Sequence, residues 1–198
     1  MLGIFLEPKG KLKNFIIKWK LRIKIKRLKT DYINHPPHCT IYVSNLNNQR
    51  KVIEKIKNIT NNSKSFKIKI NQTNIFLNDK FTGKDTIYLN INKNKKIFTL
   101  QKDLAYNLKN LVNKKKSKNL KLLNKQMKNS FTKFGFPFVG PFWKPHFTIG
   151  SIENFKNETD YLTFKKSKVY FEQDVNTISL WKITKNKHKK IKDFKLKT

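Results

Sequence analysis

The chain has 198 residues, and 45 basic against 12 acidic side chains give a formal charge of +33. No apolar run approaches the roughly 20 residues that cross a bilayer as a helix, and the single cysteine, Cys39, excludes an internal disulfide and a cysteine-based zinc cluster. With 37% hydrophobic and 13% aromatic residues, Phe alone occurring 16 times, the composition suits one domain or two small lobes sharing a core.

Taken in order, Met1 to Leu6 reads as a buried strand, too short for a secretory signal, and a reducing cytoplasm is the expected location. Pro8 and Gly10 break it. Leu12, Phe15, Ile16, Trp19 and Ile23 have helical spacing, which predicts a helix from Lys11 to about Leu28. His35-Pro36-Pro37 is a rigid entry into a β-rich run, His38 to Leu46. Val52, Ile53, Ile56 and Ile59 mark a short helix stopped by Asn61-Asn62-Ser63. Phe66 to Leu77 opens with strand alternation (Phe66, Ile68, Ile70), turns at Asn78-Asp79, and is followed by a strand at Thr86 to Ile91. A helix is expected from about Thr99, with Leu100, Leu104, Leu108 and Leu111 on one face. Lys114 to Lys116 reads as a solvated break, and Leu120, Leu123, Met127 and Phe131 as another helix. Gly135 to Pro145 is a loop rich in Gly, Pro and aromatics, leading into a strand at His146 to Ile152. After a polar linker, Val169 to Thr184 makes one or two strands. From Lys185 on, the Lys-rich tail is expected to be loose. The class is α+β.

The charge draws in anionic ligands whatever its origin. It does not by itself identify nucleic acid as the partner. Only three of the 45 basic residues are Arg (Arg22, Arg27, Arg50), Ala occurs once, at Ala105, and Lys, Asn, Ile and Phe abound. That is the residue usage of AT-rich coding sequence, whereas phosphate recognition favours the planar fork of Arg.

Two segments repeat each other: Pro37-His38-Cys39-Thr40-Ile41 and Pro145-His146-Phe147-Thr148-Ile149. In a strand, residues i and i+2 share a face. His38 therefore stands with Thr40, and His146 with Thr148, while Cys39, Ile41, Phe147 and Ile149 point the other way. The plain alternative is two partly buried histidines hydrogen-bonded for stability. A metal site assembled from His35, His38, Cys39 and His146 is a third reading. It is opposed by the direction of Cys39 and by the lack of a carboxylate at ligand spacing, so no metal and no other cofactor is expected.

At these residues the sequence resembles the two-histidine (2H) phosphoesterases, which include the bacterial RNA 2′,3′-cyclic phosphodiesterases, also called 2′-5′ RNA ligases. Their mark is a pair of His-x-Thr/Ser motifs about a hundred residues apart. The resemblance implies two pseudo-symmetric lobes, each an antiparallel sheet with helices outside, around a central cleft lined by one motif from each. The lobes would form one domain over residues 1–185, with 186–198 as tail. It also implies catalysis by His38 and His146, with Thr40 and Thr148 holding a phosphate. There are departures: Tyr42-Val43-Ser44-Asn45 follows the first motif where many members have Leu-rich residues and a Gly, and Gly150-Ser151 stands where many have an Arg. The aromatic-Pro run from Phe134 to Trp143 is loosely similar to a branch associated with phosphonate metabolism.

Imidazole suits acid and base roles alike because its ordinary pKa lies near 6.5. The resemblance thus implies a monomeric, metal-independent enzyme that opens cyclic phosphodiesters of RNA or nucleotides and, in reverse, ligates. A non-catalytic RNA- or nucleotide-binding protein of the same fold, and an enzyme acting on a small sugar cyclic phosphate, remain open alternatives. Tyr42, Trp143, Phe142, Lys144 and Arg50 are further candidates for substrate contact. His35 reads as part of a Pro-rich turn, and His188 as exposed in the tail.

Overall fold

The computed structural model describes residues 1–26, 30–113, 123–184 and 187–198. Its strands are β1 (Leu2–Leu6), β2 (Thr30–Asp31), β3 (Cys39–Ser44), β4 (Phe66–Phe76), β5 (Asp85–Ile91), β6 (His146–Ile152), β7 (Phe171–Val175), β8 (Thr177–Ile183) and β9 (His188–Lys195). Its helices are α1 (Gly10–Ile25), α2 (Gln49–Asn61), α3 (Lys95–Leu108), α4 (Lys125–Phe134) and α5 (Asp160–Lys165). The expected Lys114–Lys116 break, Leu120, and the expected end of the first helix at Leu28 lie outside the described residues.

The strands form two antiparallel sheets, ordered β3-β1-β8-β9 and β2-β6-β5-β4-β7. The motif-bearing strands lie in different sheets, β3 beside β1 and β6 between β2 and β5. The arrangement is the two-lobed α+β architecture that the sequence suggests. Strands β3 and β6 approach each other between the lobes. Cys39 and Ile41 on β3 and Phe147 and Ile149 on β6 are fully buried in one continuous core. A large apolar side chain buried in this way contributes about 1.5–3 kcal/mol relative to exposure.

Helix α1 buries Leu12, Ile16, Trp19 and Ile23, the expected stripe, and with them Lys20. The next three helices start at asparagines: Asn48, Asn94 and Asn124 accept main-chain N–H bonds with their side chains, satisfying donors left unpaired in the first turn. The Asn94 cap starts α3 at Lys95, four residues before the expected Thr99. Gly135 ends α4 at φ 64°, where a Cβ would collide with Ser44 Oγ.

Two expectations are corrected. The polar linker after Ile152 contains α5, whose buried Asp160 pairs with Arg22 of α1 and with Lys26, which caps that helix. Within the segment expected to be a loose tail, of which residues 185–186 lie outside the described residues, His188–Lys195 is strand β9, paired with β8 along its length. As an edge strand it carries lysines that face solvent, a composition that resists pairing with another chain; only Phe194 within it is buried. Among the described residues no helix is long and apolar enough to cross a membrane.

Candidate active site

The lobes enclose a cleft of about 1260 Å³. All four histidines of the chain line it, together with Thr40 and Thr148. The two motifs therefore open into one space although they lie in different sheets.

Each motif is followed by the same irregularity. Thr40 stands opposite Phe5, and Tyr42 opposite Ile4, so Ile41 is an extra residue in β3. Thr148 stands opposite Tyr88, and Gly150 opposite Ile87, so Ile149 is an extra residue in β6. A bulge of this kind shifts the alternation of faces by one position. His38 and Thr40 face the cleft, as does Val43 beyond the bulge, and Tyr42 turns into the core. The expected Tyr42 contact with substrate is thus overturned: its ring is fully buried and its hydroxyl donates to the Phe134 carbonyl.

The two imidazoles are held alike. His38 Nδ1 lies 2.6 Å from the Pro36 carbonyl oxygen, and His146 Nδ1 lies 2.6 Å from the Lys144 carbonyl oxygen. A carbonyl oxygen only accepts, so Nδ1 carries the hydrogen in both rings. Nε2 is left on each to exchange a proton. His38 stacks on Phe5 at 3.9 Å between centroids, and His146 packs against Tyr88 at 4.9 Å and Phe76 at 5.6 Å. Phe5 and Tyr88 are the cross-strand partners of the two threonines, so ring support and hydroxyl come from matching positions in both lobes.

The electrostatics are not alike. Burial pushes His38 down to about 3, with His188, His35 and Lys20 adding to the effect and the Pro36 carbonyl opposing it. Burial also lowers His146, and the Lys144 ammonium adds to it, but the Lys144 carbonyl and, unlike at His38, a carboxylate, that of Asp79, favour the proton. Cys39 faces away from the cleft, and burial pushes its thiol up to about 12, so it stays neutral. Among the described residues no three His, Cys, Asp or Glu side chains are grouped as metal ligands.

Residues 8–187 match the model of the 2′-5′ RNA ligase superfamily. The chain belongs to that superfamily. Solved structures of the same fold include TT0787 of Thermus thermophilus, with a TM-score of 0.63 and 13% identity over 98% of this chain and 97% of that one. E. coli LigT complexed with 3′-AMP superposes with a TM-score of 0.57 and 10% identity, over 100% of this chain and 98% of that one. A structure described as a phosphoesterase gives 0.56 and 9%, with 100% and 98% covered. No curated protein sequence matches significantly.

The remaining sequence candidates divide in this superfamily member. Phe142, Trp143 and Lys144 line the cleft. Trp143 is almost fully buried, edge-on to Phe98, and donates from Nε1 to the Thr40 carbonyl, which makes it an anchor between the motifs. Lys144 is exposed, with its ammonium 5.7 Å from the Phe76 ring centroid. Arg50 is not a cleft residue: it lies in the exposed first turn of α2, because the chain has left the motif strand by then. His188 is corrected in the other direction, since pairing of β9 brings it into the cleft against His35, at 4.2 Å between rings. Phe5, Phe76, Phe81, Phe138 and Lys20 also line the cleft and are not among the residues singled out from the sequence. For Lys20 a signal exists, since it follows Ile16 by four residues on the core face of α1.

Proposed function

We propose that the chain opens cyclic phosphodiesters, such as the 2′,3′-cyclic phosphate of RNA or nucleotides, by acid–base catalysis between His38 and His146. The observation that carries this reading is the matched pair of Nδ1 bonds, which commits both rings to proton exchange through Nε2 into one cleft. In the forward direction one Nε2 takes a proton from water as its oxygen bonds to phosphorus. The other Nε2–H gives its proton to the ribose oxygen as the ring P–O bond breaks, leaving a phosphomonoester. Thr40 and Thr148 donate hydrogen bonds to the non-bridging oxygens. With an RNA 5′-hydroxyl in the place of water, the same arrangement joins two RNA ends, and 2′-5′ ligation results.

The uneven surroundings favour His38 as the base, because His188, His35 and Lys20 all repel a proton from it, whereas on His146 the repulsion from Lys144 is opposed by the Asp79 carboxylate. A nucleotide is the favoured substrate because aromatic rings line the cleft, among them Phe81, Phe138 and Phe142, and such rings are the usual stacking partners of a base. The superfamily relative LigT has been solved with 3′-AMP, ATP and NADP+, which agrees with that choice. The test is incubation with nucleoside 2′,3′-cyclic monophosphates in excess chelator. Ring opening that disappears in both His38→Ala and His146→Ala supports the reading; no ring opening by the native chain refutes it.

A further inference from the structure

Beside His38 lies a cluster that transfers no proton in the two-histidine reaction. Lys20 of α1 is 7% exposed. Its ammonium donates to the Tyr32 carbonyl at 2.8 Å and the Ile33 carbonyl at 3.4 Å. A Lys ammonium has three donors, and among the described residues no carboxylate pairs with this one. The Tyr32 carbonyl also accepts the His35 main-chain N–H, which ties that loop to Lys20. The His35 ring lies 4.2 Å from that of His188, and the His188 ring 5.9 Å from that of His38. Lys20, His35, His38 and His188 all line the cleft. Asp31, the carboxylate that acts on His35, is itself held by Lys84 at 2.9 Å. Asp79 is occupied by the Thr86 hydroxyl and the Phe81 N–H and acts on His146.

A buried ammonium bonded only to carbonyl oxygens, beside His35 whose carboxylate neighbour Asp31 is already paired with Lys84, is an unfavourable arrangement left to itself, since its charge is desolvated without a counter-charge bonded to it. It becomes favourable when an anion with several oxygen acceptors enters, because charge-assisted bonds from ammonium and imidazolium are among the strongest available. We propose that Lys20, His35 and His188 form a second anion subsite, which takes a further phosphate group of the substrate while the reacting phosphorus lies between His38 and His146. The inference rests on the catalytic reading above and extends it to a substrate class: nucleotides that carry a phosphate beyond the cyclic one. Its source is either a 5′-phosphomonoester or the internal diester of an oligonucleotide. In keeping with this, burial pulls Lys20 down to about 8, and burial with the charges of His188 and Lys20 pulls His35 down to about 4 against the opposing Asp31 carboxylate.

The experiment has a binding arm and a kinetic arm. Inorganic phosphate is titrated into the native chain while the imidazole nitrogens are followed by NMR. Movement of the His35 and His188 signals, abolished in Lys20→Met, is expected; unmoved His35 and His188 signals overturn the subsite without any reference to turnover. In the kinetic arm, kcat/KM is compared for a nucleoside 2′,3′-cyclic phosphate, its 5′-phosphorylated form, and a dinucleotide ending in the cyclic phosphate. The native chain is expected to prefer one or both phosphate-bearing substrates by about tenfold or more, and the ratio to fall toward one in Lys20→Met and His188→Gln. Preference for both substrates identifies any phosphate group as the ligand, and preference for one alone identifies the monoester or the diester. Equal rates on all three substrates overturn the proposal while leaving the cyclic phosphodiesterase intact. Phosphate binding without opening of any substrate leaves the subsite and refutes the catalytic reading.

Discussion

The indole N–H of Trp143 donates to the main-chain carbonyl of Thr40 at 3.0 Å, joining residues 103 positions apart. Trp143 stands three residues before His146, and Thr40 two after His38, so this one bond ties the approach to the second motif to the backbone of the first. Replacing Trp143 by Phe keeps an aromatic ring against Phe98 but takes the indole donor from the carbonyl. The expected loss is about 1–3 kcal/mol of stability, read from denaturant midpoints. A fall in kcat at saturating substrate is expected beside it, because the spacing of the two rings relaxes. Unchanged kcat in a destabilised variant would show that the bond supports folding alone.

His38→Ala and His146→Ala are each expected to lower turnover of a cyclic phosphodiester by ~10²–10⁴. Thr40→Val and Thr148→Val keep the branched shape and remove a donor to a charged oxygen, worth about 1.5–3 kcal/mol, or on the order of tenfold to a hundredfold. Single-turnover rates separate this loss from product release. Full activity of His38→Ala would remove the base from the scheme.

Tyr42→Phe tests the corrected placement of that residue. The hydroxyl donates to a buried carbonyl and lies outside the cleft. The variant is expected to lose about 1–2 kcal/mol of stability, with kcat/KM within about twofold of native because no cleft contact changes. A large kinetic defect at unchanged stability would return Tyr42 to the site.

Acid should destabilise the protein early. His38 and His35 are depressed to about 3 and about 4 in the fold, against about 6.5 in an unfolded chain. The unfolded state binds more protons between those values, so stability is kept above about pH 6.5 and lost as pH falls from there toward 4. Unfolding midpoints at about pH 7 and about pH 4.5, on either side of the ordinary histidine pKa, give the measurement in phosphate-free buffer. The drop is expected to shrink in His35→Gln, whose side chain does not titrate; an equal drop in both proteins would assign the acid lability to other groups.

The paired motif is readable because a strand puts i and i+2 on one face, and that rule needs nothing beyond local geometry. The same rule misplaces Tyr42, since a bulge leaves no mark on residue types and Ile41 looks like any other core residue of a strand. The position of His188 is hidden for a different reason. Strand β9 is an edge strand whose lysines face water, so its burial pattern lacks the alternation that marks a half-buried strand. Lys20 is lost in the crowd: among so many lysines, one on the core face of α1 stands out only when Ile16, Trp19 and Ile23 are counted around it. Helix α5 is a six-residue element held by Asp160 and its two cationic partners, and such tertiary anchoring has no local signature.

The twin bulges leave each lobe its own latitude. By resetting the strand just after each threonine, they uncouple the few residues that face the cleft from everything downstream. One lobe continues with a bulky ring pressed into its interior, and the other with a glycine against Ile33. The two lobes can therefore differ beyond that joint, in size and in polarity, while the hydroxyl and imidazole ahead of it keep their aim.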